Sequence, residues 1–123
     1  MPTSLQGTIL SYYKDHTTKG VLVYQILEGQ TTVKIYAALY TEADNEGCGA
    51  ELRIMKSINS PIPINGPTSH TVIFKSDSKF KTTNLDAEVS FDGLASGQVL
   101  YISVDYMTNM CRNSRLTLNG EAT

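Results

Sequence analysis

Two cysteines and two histidines hold the chain's options for thiol chemistry. Cys48 lies in Glu46-Gly47-Cys48-Gly49, where flanking glycines would leave the sulfur accessible. His16 falls in the polar stretch from Lys14 to Lys19, and His70 opens a short apolar run. Covalent catalysis needs a base within hydrogen-bond reach of the nucleophile and a third group to orient that base. No spacing here brings Cys48, a histidine and an aspartate together, and no helix start stands behind Cys48 to favour its thiolate. The pattern suits structural cysteines and surface histidines, so the chain is read as non-catalytic. Cys48 and Cys111 both lie in stretches rich in Gly, Asn and Arg, away from the periodic apolar runs. They are expected to form a disulfide, with two free thiols as the alternative. Closing so long a loop stabilises by about 4 kcal/mol in the chain-entropy account. The bridge would imply an extracellular or particle-surface location, and free thiols a cytoplasmic one.

Oxygen ligands are concentrated at one place. Glu42-Ala43-Asp44-Asn45-Glu46 puts four oxygen-bearing side chains into five residues. Ca²⁺ takes about six to eight oxygens from a flexible loop, which makes Glu42, Asp44 and Glu46 the candidate cation ligands. The spacing is not that of an EF-hand, and a solvated acidic loop tip is the alternative. No other cofactor is expected, because the Cys and His residues lack the paired spacing of a zinc site. Asp86 and Glu88 lie on one side of an alternating run, about 7 Å apart. They read as an exposed polar face rather than as the paired carboxylates of a glycosidase. No glycine-rich loop leads from a strand into a helix, so a phosphate cradle is excluded.

The tyrosines are the strongest signal. The chain has seven Tyr, three Phe and no Trp, so recognition by aromatic contact falls to Tyr. Along residues 31–40, Val33, Ile35, Ala37 and Leu39 alternate with Thr32, Lys34, Tyr36, Ala38 and Tyr40. With the aliphatic set inside, the tyrosines and Lys34 must leave the opposite face. The same argument sends Tyr101 and Asp105 outward from another strand. Tyr offers flat apolar area and a hydroxyl at little cost in rotamer freedom, which suits recognition surfaces. Lys34, Tyr36, Tyr40 and Tyr101 are therefore the expected ligand-binding residues. Tyr36 and Tyr40 would stand about 13 Å apart along the strand, a span for an oligosaccharide or a partner protein. The alternative is that these tyrosines support neighbouring strands or pack under a second sheet.

The elements that must position these residues are strands. Period-two alternation recurs at 31–40, 85–91 and 98–106, and weaker strands are read at 8–13, 70–75 and 115–119. Residues 20–27 are apolar on both faces and read as a central strand. Residues 51–58 read as a strand, with a two-turn helix as the alternative. Glu28-Gly29-Gln30 is expected to close a short hairpin, because glycine reaches positive φ without strain. Residues 59–69 form a long irregular crossing with three prolines, and turns are expected at 92–97 and 108–114. The predicted core is Val23, Val33, Ile35, Leu39, Leu85, Val89, Phe91, Leu100, Ile102 and Val104. About eight short strands make one domain over residues 1–123. It is an all-β, antiparallel two-sheet β-sandwich, jelly-roll-like more than Ig-like.

Composition narrows the function. At 41% apolar and 18% charged residues the chain can pack a core and is not disordered. Ten basic against twelve acidic side chains give a net charge of −2, without the basic face that nucleic acid requires. The longest apolar run, residues 35–40, is far too short to span a membrane. Met1 to Gln6 show neither the basic patch nor the apolar run of a secretory leader. The expected function is a non-catalytic, lectin-like or receptor-binding module for a glycan or a protein, in a homo-oligomer. A capsid, fibre or decoration subunit is the first alternative and an enzyme of unspecified type the second.

Overall fold

The computed structural model describes residues 2–12, 17–43, 49–62, 82–109 and 111–123. The expected strand at 70–75 and most of the crossing at 59–69 lie outside them. The described chain forms β1 (Thr3–Gln6), β2 (Thr8–Tyr12), β3 (Thr17–Gln25), β4 (Val33–Ala43), β5 (Gly49–Ile58), β6 (Thr82–Phe91), β7 (Val99–Asn109) and β8 (Cys111–Ala122). One sheet, A, has the order β1-β8-β4-β6, and the other, B, the order β2-β3-β7-β5. All the pairings are antiparallel. The described residues form an antiparallel, jelly-roll-like β-sandwich of two four-stranded sheets.

Alternation decides which face is inside. Val33, Ile35, Ala37 and Leu39 of β4, Leu85, Ala87 and Phe91 of β6, and Leu116 and Leu118 of β8 are buried against Leu22, Leu52, Ile54, Leu100, Ile102 and Val104 of sheet B. Each such side chain contributes about 1.5–3 kcal/mol on burial. Val89 is half-buried at the margin of this core.

Val23 departs from the expectation. It is 59% exposed, and its neighbour Leu22 is buried instead. A strand apolar on both faces has no period to fix its side, and here Val23 pairs with Tyr101 on the outer face of sheet B. Residues 51–58 belong to a strand, because β5 pairs with β7 along its whole length. The turn expected at 108–114 is much shorter: β7 runs to Asn109 and β8 begins at Cys111. Glu28-Gly29-Gln30 does turn, with Gly29 at φ 88°. It closes no hairpin, because β3 and β4 lie in different sheets.

Another crossing bears directly on the site. The chain leaves sheet A after Gln6 and enters sheet B at Thr8. At this corner the Gly7 N–H donates to the Leu118 carbonyl at 2.9 Å. A Cβ at Gly7 would come within 2.7 Å of the Leu118 side chain, so the corner closes only around a glycine.

Candidate functional site

The outer face of sheet A carries the expected site. Along β4, Lys34, Tyr36, Ala38, Tyr40 and Glu42 face away from the core, and flanking strands set their neighbours by register. Tyr36 lies level with Glu88 on β6 and Asn119 on β8; Ala38 lies level with Asp86 and Thr117. Directly opposed residues in such pairs stand about 4.5–5.5 Å apart at Cβ, so each row is a contact set. Ala38 is the smallest outward residue of β4, and the larger side chains around it leave a depression of about 460 Å³. Tyr36, Asp86, Glu88, Thr117 and Asn119 form its rim.

Below this depression the side chains are engaged with one another. The register between β4 and β8 shifts between Tyr40↔Arg115 and Glu42↔Arg112, so Thr41 faces both Asn113 and Ser114. This is a β-bulge, and Asn113 takes a left-handed φ of 54° within it. The Thr41 hydroxyl, fully buried, lies 2.7 Å from Ser114 Oγ. The extra residue brings Arg112 and Arg115, three positions apart, onto the same face. The Arg115 guanidinium stacks on the Tyr40 ring at 4.7 Å from its centre. The Tyr40 hydroxyl donates to Glu42 Oε1 at 3.1 Å, and Asn113 Nδ2 donates to Glu42 Oε2 at 3.0 Å. Arg112 Nε stands 3.8 Å from the same Glu42 Oε2.

The electrostatics follow from these contacts. The Asn113 amide, then the Tyr40 hydroxyl and the two arginines, hold the Glu42 carboxyl below its ordinary value against a desolvation cost. The Tyr40 phenol is raised, first because its proton is held by Glu42. Glu42 thus spends both oxygens on protein donors. Of the other cation ligands expected beside it, Asp44 and Glu46 lie outside the described residues.

Of the expected ligand-binding residues, Lys34, Tyr36 and Tyr40 share one face. Tyr101 does not join them, since it lies on the outer face of sheet B, between Val23 and Ser57. Asp105, on that same outer face, is buried, and Arg53 grips it through Nε at 2.9 Å and Nη2 at 3.3 Å. Lys34 Nζ reaches Glu88 at 3.6 Å, an exposed pair of small energetic weight. Among the described residues, the side chains of Tyr36, Asp86, Thr117 and Asn119 have no protein hydrogen-bond partner. Asp86 and Glu88, read from sequence as a solubilising face, line the depression. Thr117 and Asn119 gave no signal of their own, because their place beside Ala38 depends on β8 returning next to β4.

Cys111 is disulfide-bonded, and the chain's other cysteine is Cys48. Cys48, His16 and His70 lie outside the described residues. Among the described residues no helix is long and apolar enough to cross a membrane.

The sequence matches no protein-family model and no curated protein. Among solved structures, dimeric latent PorU from Porphyromonas gingivalis is similar with a TM-score of 0.54 at 12% identity, over 99% of this chain and 12% of that one. The chain thus spans a small part of the length of that protein. Murine APRIL at pH 8.5 is similar with a TM-score of 0.50 at 9% identity, over 100% of this chain and 99% of that one. At such identities the shared property is the β-sandwich fold.

Proposed function

We propose that the chain is a non-catalytic recognition module that binds a glycan on the outer face of sheet A, in the depression over Ala38. One observation carries this reading: an aromatic wall and an alanine floor are ringed by Asp86, Thr117 and Asn119, whose side chains have no protein hydrogen-bond partner among the described residues, and by Glu88, which is in an exposed pair with Lys34. A sugar ring has an apolar C–H face and a rim of hydroxyls. Tyr36 and Ala38 match the first. Asp86, Glu88, Thr117 and Asn119 match the second with acceptors and donors. Protein interfaces instead bury an apolar centre inside a polar rim, and the centre here is one alanine among polar groups. The disulfide at Cys111 supports an oxidising, extracellular setting.

Native electrophoresis through gels holding soluble β-glucan, xylan or mannan tests the reading. Retardation by one of them, lost in a folded Tyr36→Ala variant, is expected. Retardation that survives this change, or none in any gel, would overturn it.

The assembly reading rests on a different surface. Val23, at 59% exposure, stands level with Tyr101 on the outer face of sheet B, on the far side of the sandwich. Sedimentation of Val23→Asp checks it: a mass that falls from oligomer to monomer favours a subunit contact there.

A further inference from the structure

We infer that the ligand is a neutral, linear polysaccharide bound along its interior and lying across the strands, over the row Gln6, Asn119, Tyr36 and Glu88. This rests on the glycan reading above and adds the ligand's class, direction and reach.

The direction follows from what surrounds Tyr36. Along β4 the path toward Tyr40 is obstructed, because Arg115 covers a face of the Tyr40 ring and Glu42 holds its hydroxyl. Across the strands the path is open. Gln6 is paired with Asn119, Asn119 with Tyr36, and Tyr36 with Glu88, so one residue from every strand of sheet A stands in line. The row spans three strand spacings, roughly 14 Å, long enough for several linked sugar rings and too long for one.

A second hollow of about 530 Å³ extends this path at the β1 edge. It is the notch left where the chain quits β8 at Gly7. Thr117 and Asn119 border both hollows, so the two are joined by a shared rim. Gln6 overhangs the notch, and Ile9 lies in it at 41% exposure. Ile9 there gives a second apolar surface for a ring, at the opposite end of the row from Glu88. Gln6, like Asn119, has an amide with no protein partner among the described residues.

Charge sets the class. Asp86 and Glu88 line the groove, and Lys34 above it is already paired with Glu88. Hydroxyl groups can donate to both carboxylates, whereas a uronate or sulfate would meet two like charges.

Calorimetric titration with β-1,4-linked gluco-, xylo- and manno-oligosaccharides, from disaccharide to hexasaccharide, tests this, with polygalacturonate as the anionic probe. Affinity in the binding series is expected to rise about tenfold or more between disaccharide and pentasaccharide and then level off. Gln6→Ala and Ile9→Ser, checked for unchanged melting, should weaken the hexasaccharide several-fold and leave the disaccharide unaffected. Tyr36→Ala should weaken every length. Equal affinity for all lengths, a hexasaccharide indifferent to both notch variants, or polygalacturonate binding as tightly would overturn the crossing groove while the Tyr36 site stood. No binding in any series, or binding indifferent to Tyr36→Ala, would overturn the glycan reading as well.

Discussion

The Arg115 guanidinium lies 4.7 Å from the centre of the Tyr40 ring. These residues are far apart in sequence and adjacent in space because β8 pairs with β4. The contact divides two tyrosines that alternation alone makes equivalent. The Tyr36 hydroxyl, beside a depression, has no protein partner among the described residues, and Tyr40 is tied to Arg115 and Glu42.

Tyr36→Ala and Tyr40→Ser should therefore behave differently. The Tyr36 change is expected to abolish polysaccharide binding with the melting temperature nearly unchanged. The Tyr40 change is expected to leave binding intact and to lower the melting temperature slightly. Gel retardation and thermal melts of the two variants, run side by side, read both effects. Loss of binding in both would mean the ligand lies along β4 after all.

Glu42 titrates below the ordinary carboxyl value because Asn113, then Tyr40, favour its charged form. A depressed folded value means the stabilisation is present above the unfolded pKa, and it is lost as pH falls through the folded one. Tyr40 has the opposite sign: its raised value gives stability that is lost as pH rises through the folded pKa. Side-chain NMR of Glu42 should show a low midpoint, and Asn113→Ala should move it upward. An unmoved midpoint would show that the Asn113 amide does not set the shift.

The sandwich core is the place where single changes should cost most. Ile35 is fully buried and Ile102 nearly so. Either residue changed to Ala should lose about 2–5 kcal/mol in urea unfolding. Ser90→Ala, on the exposed side of β6, should stay within about 0.5 kcal/mol.

Asp105 is held by two bonds from Arg53, with its side chain 12% exposed and that of Arg53 34% exposed. Asp105→Ala should destabilise by about 1–3 kcal/mol, since it strands a part-buried guanidinium. Replacing both residues together with Leu and Met should recover much of that loss. A double variant as unstable as the single one would mean that the loss comes from packing around Asp105.

The denatured, unreduced chain should show no reactive thiol, given the disulfide at Cys111. Reduction should lower stability by about 2–5 kcal/mol. Two reactive thiols before reduction would remove the bridge.

Alternation made β4, β6 and much of β7 legible, because one face of each is apolar and the other polar. It failed at β3, where Val21, Leu22 and Val23 are all apolar and only the partner strand decides the side. The site was half legible. Tyr36 on the outer face follows from Val33 and Ile35 being inside. The Ala38 floor needs Asp86 and Thr117 beside it, and those neighbours depend on strand order. The arginine pair was hidden more deeply, since the bulge at Asn113 breaks the alternation that would send Arg112 and Arg115 to opposite faces.

Among the described strands only the β2–β3 link stays within one sheet; every other link crosses to the opposite sheet. This threading sets a timetable. Thr3 finds its partner in Ala122, and β4 lies between β6 and β8, so sheet A cannot be assembled until β8 has left the ribosome. Long loops must close before their contacts repay the lost entropy, which slows folding to the millisecond-to-second range typical of all-β sandwiches. During that wait Ile35 and Leu39 are uncovered in the nascent chain, a period in which self-association competes with folding. A chain cut short before β8 would keep most of the apolar residues and lose the strand that joins β1 to β4. Such a fragment is expected to aggregate rather than to form half a sandwich.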